Sequence, residues 1–221
     1  MIEVRNISKT YQAGGQSVHA VNSANLHIEK GEFLSIVGHS GSGKTTLLSL
    51  MGGLTRPDSG TVVIDGVDLW RIDDNELSGF RNRKINFIYQ FASLIPTLTS
   101  LENVMLPSAF GNWSGNTEER ARELLGLVGL SDKLNSYPSE LSGGQQRRVA
   151  IARAFINEPE VLLADEPTGD LDEDTEGEIF DLFKRFNEEK GLTFVLVTHS
   201  RELAGRTKRQ VRMTNGILSE N

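Results

Sequence analysis

The chain has no cysteine, which excludes a disulfide framework, a thiolate zinc site and a cysteine nucleophile. It also lacks any apolar run near the ~18–20 residues that a bilayer-spanning helix needs. Its longest apolar stretches, such as Phe33 to Val37 and Phe194 to Val197, are strand-sized. The start of the chain carries Glu3 and Arg5 with no long apolar core, so it does not read as a secretory signal. Positive charge is in short supply: 23 Lys and Arg stand against 30 Asp and Glu, a net charge of −7. That balance argues against broad nucleic-acid binding, although Arg201, Arg206, Lys208, Arg209 and Arg212 form a local basic cluster. What remains is 221 residues with 38% apolar and 24% charged content, enough for one large or two small globular domains. The 22 glycines are about a tenth of the chain, above the usual ~7%, so their positions carry information.

Strand-like runs alternate with helix-like stretches, which predicts an α/β fold with a mainly parallel sheet. Phe33 to Val37, Thr61 to Ile64, Ile85 to Tyr89, Val161 to Ala164 and Phe194 to Val197 read as strands. Val161 to Ala164 and Phe194 to Val197 are apolar without alternation, the pattern of strands buried on both faces. Lys44 to Met51 reads as a helix. The middle, about 91–156, turns helical, with one-face spacing over Glu118 to Val128 and Gln145 to Ile156. This predicts a helical insertion between strands of the core. Asn215-Gly216, flanked by apolar runs, predicts a hairpin.

Gly38-His39-Ser40-Gly41-Ser42-Gly43-Lys44-Thr45 matches G-x-x-x-x-G-K-[ST] between a predicted strand and a predicted helix. Glycines let backbone N–H groups curl around phosphate, and the helix aims its positive end at the same place. Lys44 supplies a cation for the β- and γ-phosphates, Thr45 a hydroxyl for Mg²⁺, and Thr46 a further hydroxyl for the cradle. The strand Val161 to Ala164 ends in Asp165-Glu166, at the end of a strand where α/β sheets bind ligands. Asp165 is placed to hold Mg²⁺, and Glu166, expected to face the other side of the strand, to polarise an attacking water. On their own the two carboxylates read equally as an acidic helix cap before Pro167. Beside the phosphate loop they read as a reaction site. Leu141-Ser142-Gly143-Gly144-Gln145 joins a good N-cap to two glycines with open N–H groups. It predicts a second anion site, unless it is an ordinary capped helix start.

These three motifs, in this order, resemble an ABC-transporter ATP-binding subunit, and the resemblance covers nearly the whole chain. It implies a P-loop NTPase of the ABC type as one domain over 1–221. The core would span about 1–90 and 157–221, with a small antiparallel β subdomain, and the helical subdomain about 91–156. It also implies roles for single residues. Tyr11 resembles the aromatic that stacks on adenine. Gln90 resembles the glutamine that joins Mg²⁺ and the attacking water. Asp172 resembles the acidic residue of the loop crossing to a partner subunit, and His199 the histidine that contacts the γ-phosphate. Each has a plainer alternative as a packing, solvated or strand-end residue. Tyr137 to Ala154 and Leu163 to Asp172 further resemble the lipoprotein-releasing and macrolide-export branch. There Asp170 stands where asparagine is usual. Cell-division and antimicrobial-peptide-export relatives share much of the pattern.

The expected cofactors are ATP and Mg²⁺. The expected catalytic set is Glu166, His199, Lys44 and Gln90, with Thr45, Gln90 and Asp165 at the metal. ATP on the phosphate loop of one copy, covered by Ser142, Gly143, Gly144 and Gln145 of another, would hold a head-to-tail homodimer. Integral membrane permease subunits are the implied partners, no nucleic acid is expected, and the implied location is the cytoplasmic face of the inner (plasma) membrane, as a peripheral subunit. The apolar segment Phe91 to Leu98 is expected to help form a groove for a permease helix, or else to bury against the helical insertion. A non-transport ABC ATPase acting on DNA or ribosomes is the competing class. A regulatory protein that binds ATP without hydrolysis is disfavoured by the presence of both Glu166 and His199.

Overall fold

The computed structural model describes residues 1–111, 115–169 and 171–220. The chain opens with two long strands, β1 (Ile2–Ala13) and β2 (Gln16–Ile28), followed by β3 (Phe33–Val37) and α1 (Lys44–Met51). Two shorter strands, β4 (Ser59–Ile64) and β5 (Val67–Asp68), lead to α2 (Asp74–Lys84) and β6 (Ile85–Ile88). The helical stretch holds α3 (Ser100–Met105), α4 (Thr117–Leu127) and α5 (Gly143–Ala154). Then come β7 (Val161–Asp165), α6 (Glu173–Lys190), β8 (Thr193–Thr198), α7 (Arg201–Gly205), β9 (Arg209–Thr214) and β10 (Ile217–Glu220).

Two sheets form. The six-stranded one runs β10-β9-β3-β8-β7-β6, with every pairing parallel except the β9–β10 hairpin. The four-stranded one, β2-β1-β4-β5, is antiparallel throughout. The α/β expectation, the antiparallel part and the hairpin at Asn215-Gly216 are therefore all present. Both turn residues have positive φ, 48° and 80°, the conformation that a two-residue hairpin of this kind requires.

The central strands face two cores. In β3 and β8, Phe33, Phe194 and Leu196 join α3 to α6 on one side. Leu34, Ile36, Val195 and Val197 join α1, α2 and the antiparallel sheet on the other. This is the period-2 alternation of a strand with both faces covered. The inserted helices share the first core with the sheet. Phe194 sits within an aromatic group, 4.6 Å from the Phe33 ring and 4.8 Å from Phe183.

Several boundaries differ from the sequence reading. The strand after α2 stops at Ile88, before Tyr89 and Gln90, because the chain there leaves its neighbour β7. The helix expected over Gln145 to Ile156 starts at Gly143 and ends at Ala154. Its start is set by a capping box in which Ser142 and Gln145 bond each other's backbone N–H. Asp170 lies outside the described residues.

Truncating Phe194, which is fully buried, should cost about 3–5 kcal/mol of unfolding free energy in a Phe194→Ala variant. Urea denaturation followed by circular dichroism measures it.

Candidate functional site

At the carboxyl ends of β3, β7 and β8 the chain leaves a cavity of about 890 Å³. Gly38, His39, Ser40, Gly41, Lys44 and Thr45 form one wall, and Gln90, Asp165, Glu166 and His199 complete it. The phosphate loop is fixed from below. Ser42 N–H donates to His39 O at 3.2 Å, and Ser42 O accepts from Gly216 N at 2.9 Å, tying the loop to the β9–β10 turn. Gly43 caps α1 with φ 105°, and a Cβ there would overlap the carbonyl oxygen of Ala20 in β2. Only glycine fits.

Lys44 is buried and donates to the carbonyls of Gly38 at 2.8 Å and His39 at 3.0 Å. Its ammonium is thus held inside the loop. Thr45 Oγ1 donates to Asp165 Oδ2 at 2.6 Å, which brings the hydroxyl at the start of α1 into contact with the carboxylate that ends β7. Burial pushes the Asp165 carboxyl above its ordinary pKa, and the Thr45 hydrogen bond only partly offsets this.

Glu166 corrects the alternation argument. It does not face away from Asp165, since both line the same cavity. The chain turns at Glu166 with φ 46°, an uncommon conformation for a non-glycine residue, while its N–H stays bonded to Val197 O. The carboxylate then meets Thr198 Oγ1 at 3.2 Å and His199 Nδ1 at 2.8 Å. The exposed His199 ring and the largely covered Glu166 therefore form a pair at the cavity mouth.

Other expected residues lie elsewhere. Ser142, Gly143, Gly144 and Gln145 do not line this cavity, nor do Tyr11 and Asp172. Tyr11 is 42% exposed on β1 and pairs with Val18, two residues before the Ala20 that touches the loop. Asp172 caps α6 by accepting from the Thr175 N–H and hydroxyl, which holds its carboxyl below the usual range. Thr46 follows Thr45 into the first turn of α1, half-buried.

Some cavity residues were not foreseen. Arg147 lines it although almost wholly buried, and Gly169, Arg201 and Arg212 line it too. Within the basic cluster, Arg206 pairs with Asp181 and Arg209 with Glu32 and Glu220. Among the described residues only Arg201, Lys208 and Arg212 of the five make no ion pair. No set of three His, Cys, Asp or Glu among the described residues could hold a metal ion unaided.

A family model described as ABC transporter matches residues 21–169. The chain belongs to that ABC transporter family. It is 46% identical to the lipoprotein-releasing system ATP-binding protein LolD of Syntrophus aciditrophicus, over 99% of this chain and 98% of that protein. It is 44% identical to the macrolide export ATP-binding/permease protein MacB of Syntrophobacter fumaroxidans, again over 99% of this chain but only 31% of that longer protein. The solved ATP-binding cassette MJ0796, a post-hydrolysis dimer bound to ADP and Pi, superposes with a TM-score of 0.94 at 42% identity, covering 100% of this chain and 98% of that one. The protein is an ATP-binding cassette ATPase whose likeness is to the lipoprotein-releasing and macrolide-export type. Among the described residues no helix is long and apolar enough to cross a membrane.

The raised pKa of Asp165 has a definite sign. A carboxyl raised on folding binds its proton more tightly in the folded state, so its contribution to stability falls as pH rises from the ordinary carboxylate range through the raised value. Asp165→Asn should therefore raise the Tm of the nucleotide-free protein at neutral pH by about 2–4 °C, the shift that ~1 kcal/mol gives in a chain of this size. The gain should shrink as the pH is lowered. Thermal melts between about pH 5 and 8 test this.

Proposed function

We propose that this chain binds and hydrolyses ATP as half of a symmetric dimer that powers a membrane transporter. The observation that carries the reading is a separation within one chain. The Ser142 helix start, with the Gly143 and Gly144 amides left free by a cap that engages only Gln145, lies outside the cavity formed by the phosphate loop. Helix N-termini with open amides bind anions. A second copy can bring that surface over the γ-phosphate, with two-fold symmetry repeating the contact. The dimeric cassette MJ0796 supports the same assembly.

In this reading the phosphate loop amides and Lys44 hold the β- and γ-phosphates, with Lys44 exchanging its two carbonyl acceptors for phosphate oxygens. Thr45 and Asp165 offer two hard oxygens in mutual contact, and the buried carboxylate makes no ion pair among the described residues, so this pair fits Mg²⁺, with Gln90 completing the set. Bound Mg²⁺ would neutralise charge on the phosphates. Glu166 accepts the proton of the attacking water. His199, held against Glu166, orients that carboxylate and faces the γ-phosphate. Tyr11 stacks on the adenine, and Asp172 meets the partner copy.

Residues 91–156 act as a helical subdomain that carries the Ser142 surface. Phe91 at 74% and Ile95 at 41% exposed offer an apolar surface suited to a permease helix, while Leu94 packs against the helical core. The chain thus sits on the cytoplasmic face of the membrane through its permease. The relatives point to an export or lipoprotein-releasing complex, with cargo chosen by the membrane partner.

Glu166→Gln should lower kcat by about 10²–10⁴-fold while retaining ATP binding, and should elute as a dimer only with ATP present. A variant that binds ATP yet stays monomeric in gel filtration rules out the shared-site reading. Ile95→Asp should retain ATP binding and lose stimulation by the co-purified permease, read as ATPase activity in vesicles.

A further inference from the structure

The segment from Tyr89 to Thr99 has no regular structure and projects Phe91 and Ile95 into solvent, yet its backbone is held at many points. Arg147 Nη1 donates to Tyr89 O at 2.7 Å. Arg153 grips two successive carbonyls, Nη2 to Ala92 O and Nη1 to Ser93 O, both at 2.9 Å. Asn103 on α3, fully buried, accepts from Ile95 N at 2.8 Å and donates to Leu98 O at 2.9 Å. All three donors come from the inserted helices, whereas the β6 ladder that precedes the segment ends at Ile88.

Arg153 is the unusual member. Among the described residues it has no carboxylate partner, and burial pushes its guanidinium below the ordinary arginine pKa. A desolvated cation whose hydrogen bonds go to carbonyls loses them all if the loop departs. Ser93, one of those acceptors, has φ 46°, a left-handed conformation that a serine keeps only where its surroundings enforce it.

We propose that Arg147 and Arg153 are positioning residues that lock the Gln90 segment to α5, so that Gln90 and the Ser142 surface at the start of α5 move as one body relative to the sheet. The proposal rests on the reading that Gln90 meets bound ATP. Gln90 sits between Arg147's acceptor, Tyr89, and Arg153's acceptors, and it lines the cavity. A pull on Gln90 is then felt at the helix start that covers the partner's phosphate, and pressure on Phe91 or Ile95 is felt at Gln90. Arginine suits the task because its planar fork presents N–H donors at a fixed spacing, whereas the ammonium of lysine holds no fixed orientation.

The test compares wild type, Arg153→Gln and Arg153→Lys by MgATP kinetics and by amide hydrogen exchange. Arg153→Gln should lower kcat about tenfold with KM for ATP within about twofold, as loss of positioning does. Exchange of the Ile95 amide, which bonds Asn103 Oδ1, should rise about tenfold while β7 and β8 keep wild-type rates. Arg153→Lys should fall between the two. In a Glu166→Gln background, ATP should slow exchange of the Ile95 amide and over the first turn of α5 together, and adding Arg153→Gln should separate the two. Unchanged kcat despite faster loop exchange overturns the proposal, as does a loss in which kcat, KM and core exchange all move together. If Arg153→Gln does not fold, wild type still decides, because an Ile95 amide that exchanges at the unprotected rate without ATP contradicts the clamp. An inactive wild type, or a fully active Glu166→Gln, would instead overturn the parent reading.

Discussion

Three strands at the centre of the large sheet, β3, β8 and β7, bury both of their faces, and most of the architecture follows from that requirement. A strand with no solvent side needs a layer on each face. The chain supplies α3 to α6 on one and α1, α2 and the antiparallel sheet on the other. With both faces occupied, the open place left to a ligand is the edge formed by the strand ends. The phosphate loop, Asp165, Glu166 and His199 all follow a strand at that edge within a few residues. The two cores thus hold the site rigid from both sides, while the loop between them stays free to place N–H groups.

The polar chemistry of the site is arranged around a ligand of concentrated negative charge. Lys44 occupies itself with the carbonyls of its own loop, and the Asp165 carboxyl sits against Thr45 under a burial penalty. Each arrangement gives its group hydrogen bonds, and the Lys44 charge also draws the Asp165 carboxyl down against the burial penalty. In the proposed reading a phosphate in the loop would take over the Lys44 hydrogen bonds, and a divalent cation would bind the Asp165 and Thr45 oxygens.

Legibility in the sequence followed the locality of the signal. The phosphate loop, the capped start of α5 and the strand ending in Asp165-Glu166 are contiguous motifs, and each was readable from its own residues. The long strands β1 and β2 were not, since register shifts between Val4, Ile7 and Lys9 break the alternation that marks a strand. The helix α2 buries only Leu77 and Phe80, too little to show a stripe. The helix α6 did have a signal, an Asp172 cap followed by acidic residues and then Ile179 and Phe183 at helical spacing. The turn at Glu166 escaped because a left-handed residue outside glycine leaves no mark in the sequence. The roles of Arg147 and Arg153 escaped because their acceptors are backbone carbonyls, which every residue carries alike.

The same locality bears on the proposal that one chain makes only half of a reaction site. The Ser142 surface and the phosphate loop stand at the starts of two different helices, and helix α5 is committed to the first core through Val149, Ile151 and Ala152. Its start cannot fold back over its own phosphate loop without abandoning that packing, whose burial is worth about 25 cal/mol per Å² of apolar surface. A second copy meets the need with no such loss. In the proposed dimer the free energy that joins the copies would come largely from the nucleotide between them, so removal of the γ-phosphate would remove the joint. Association gated by ATP would in this sense be a consequence of a core that will not unpack.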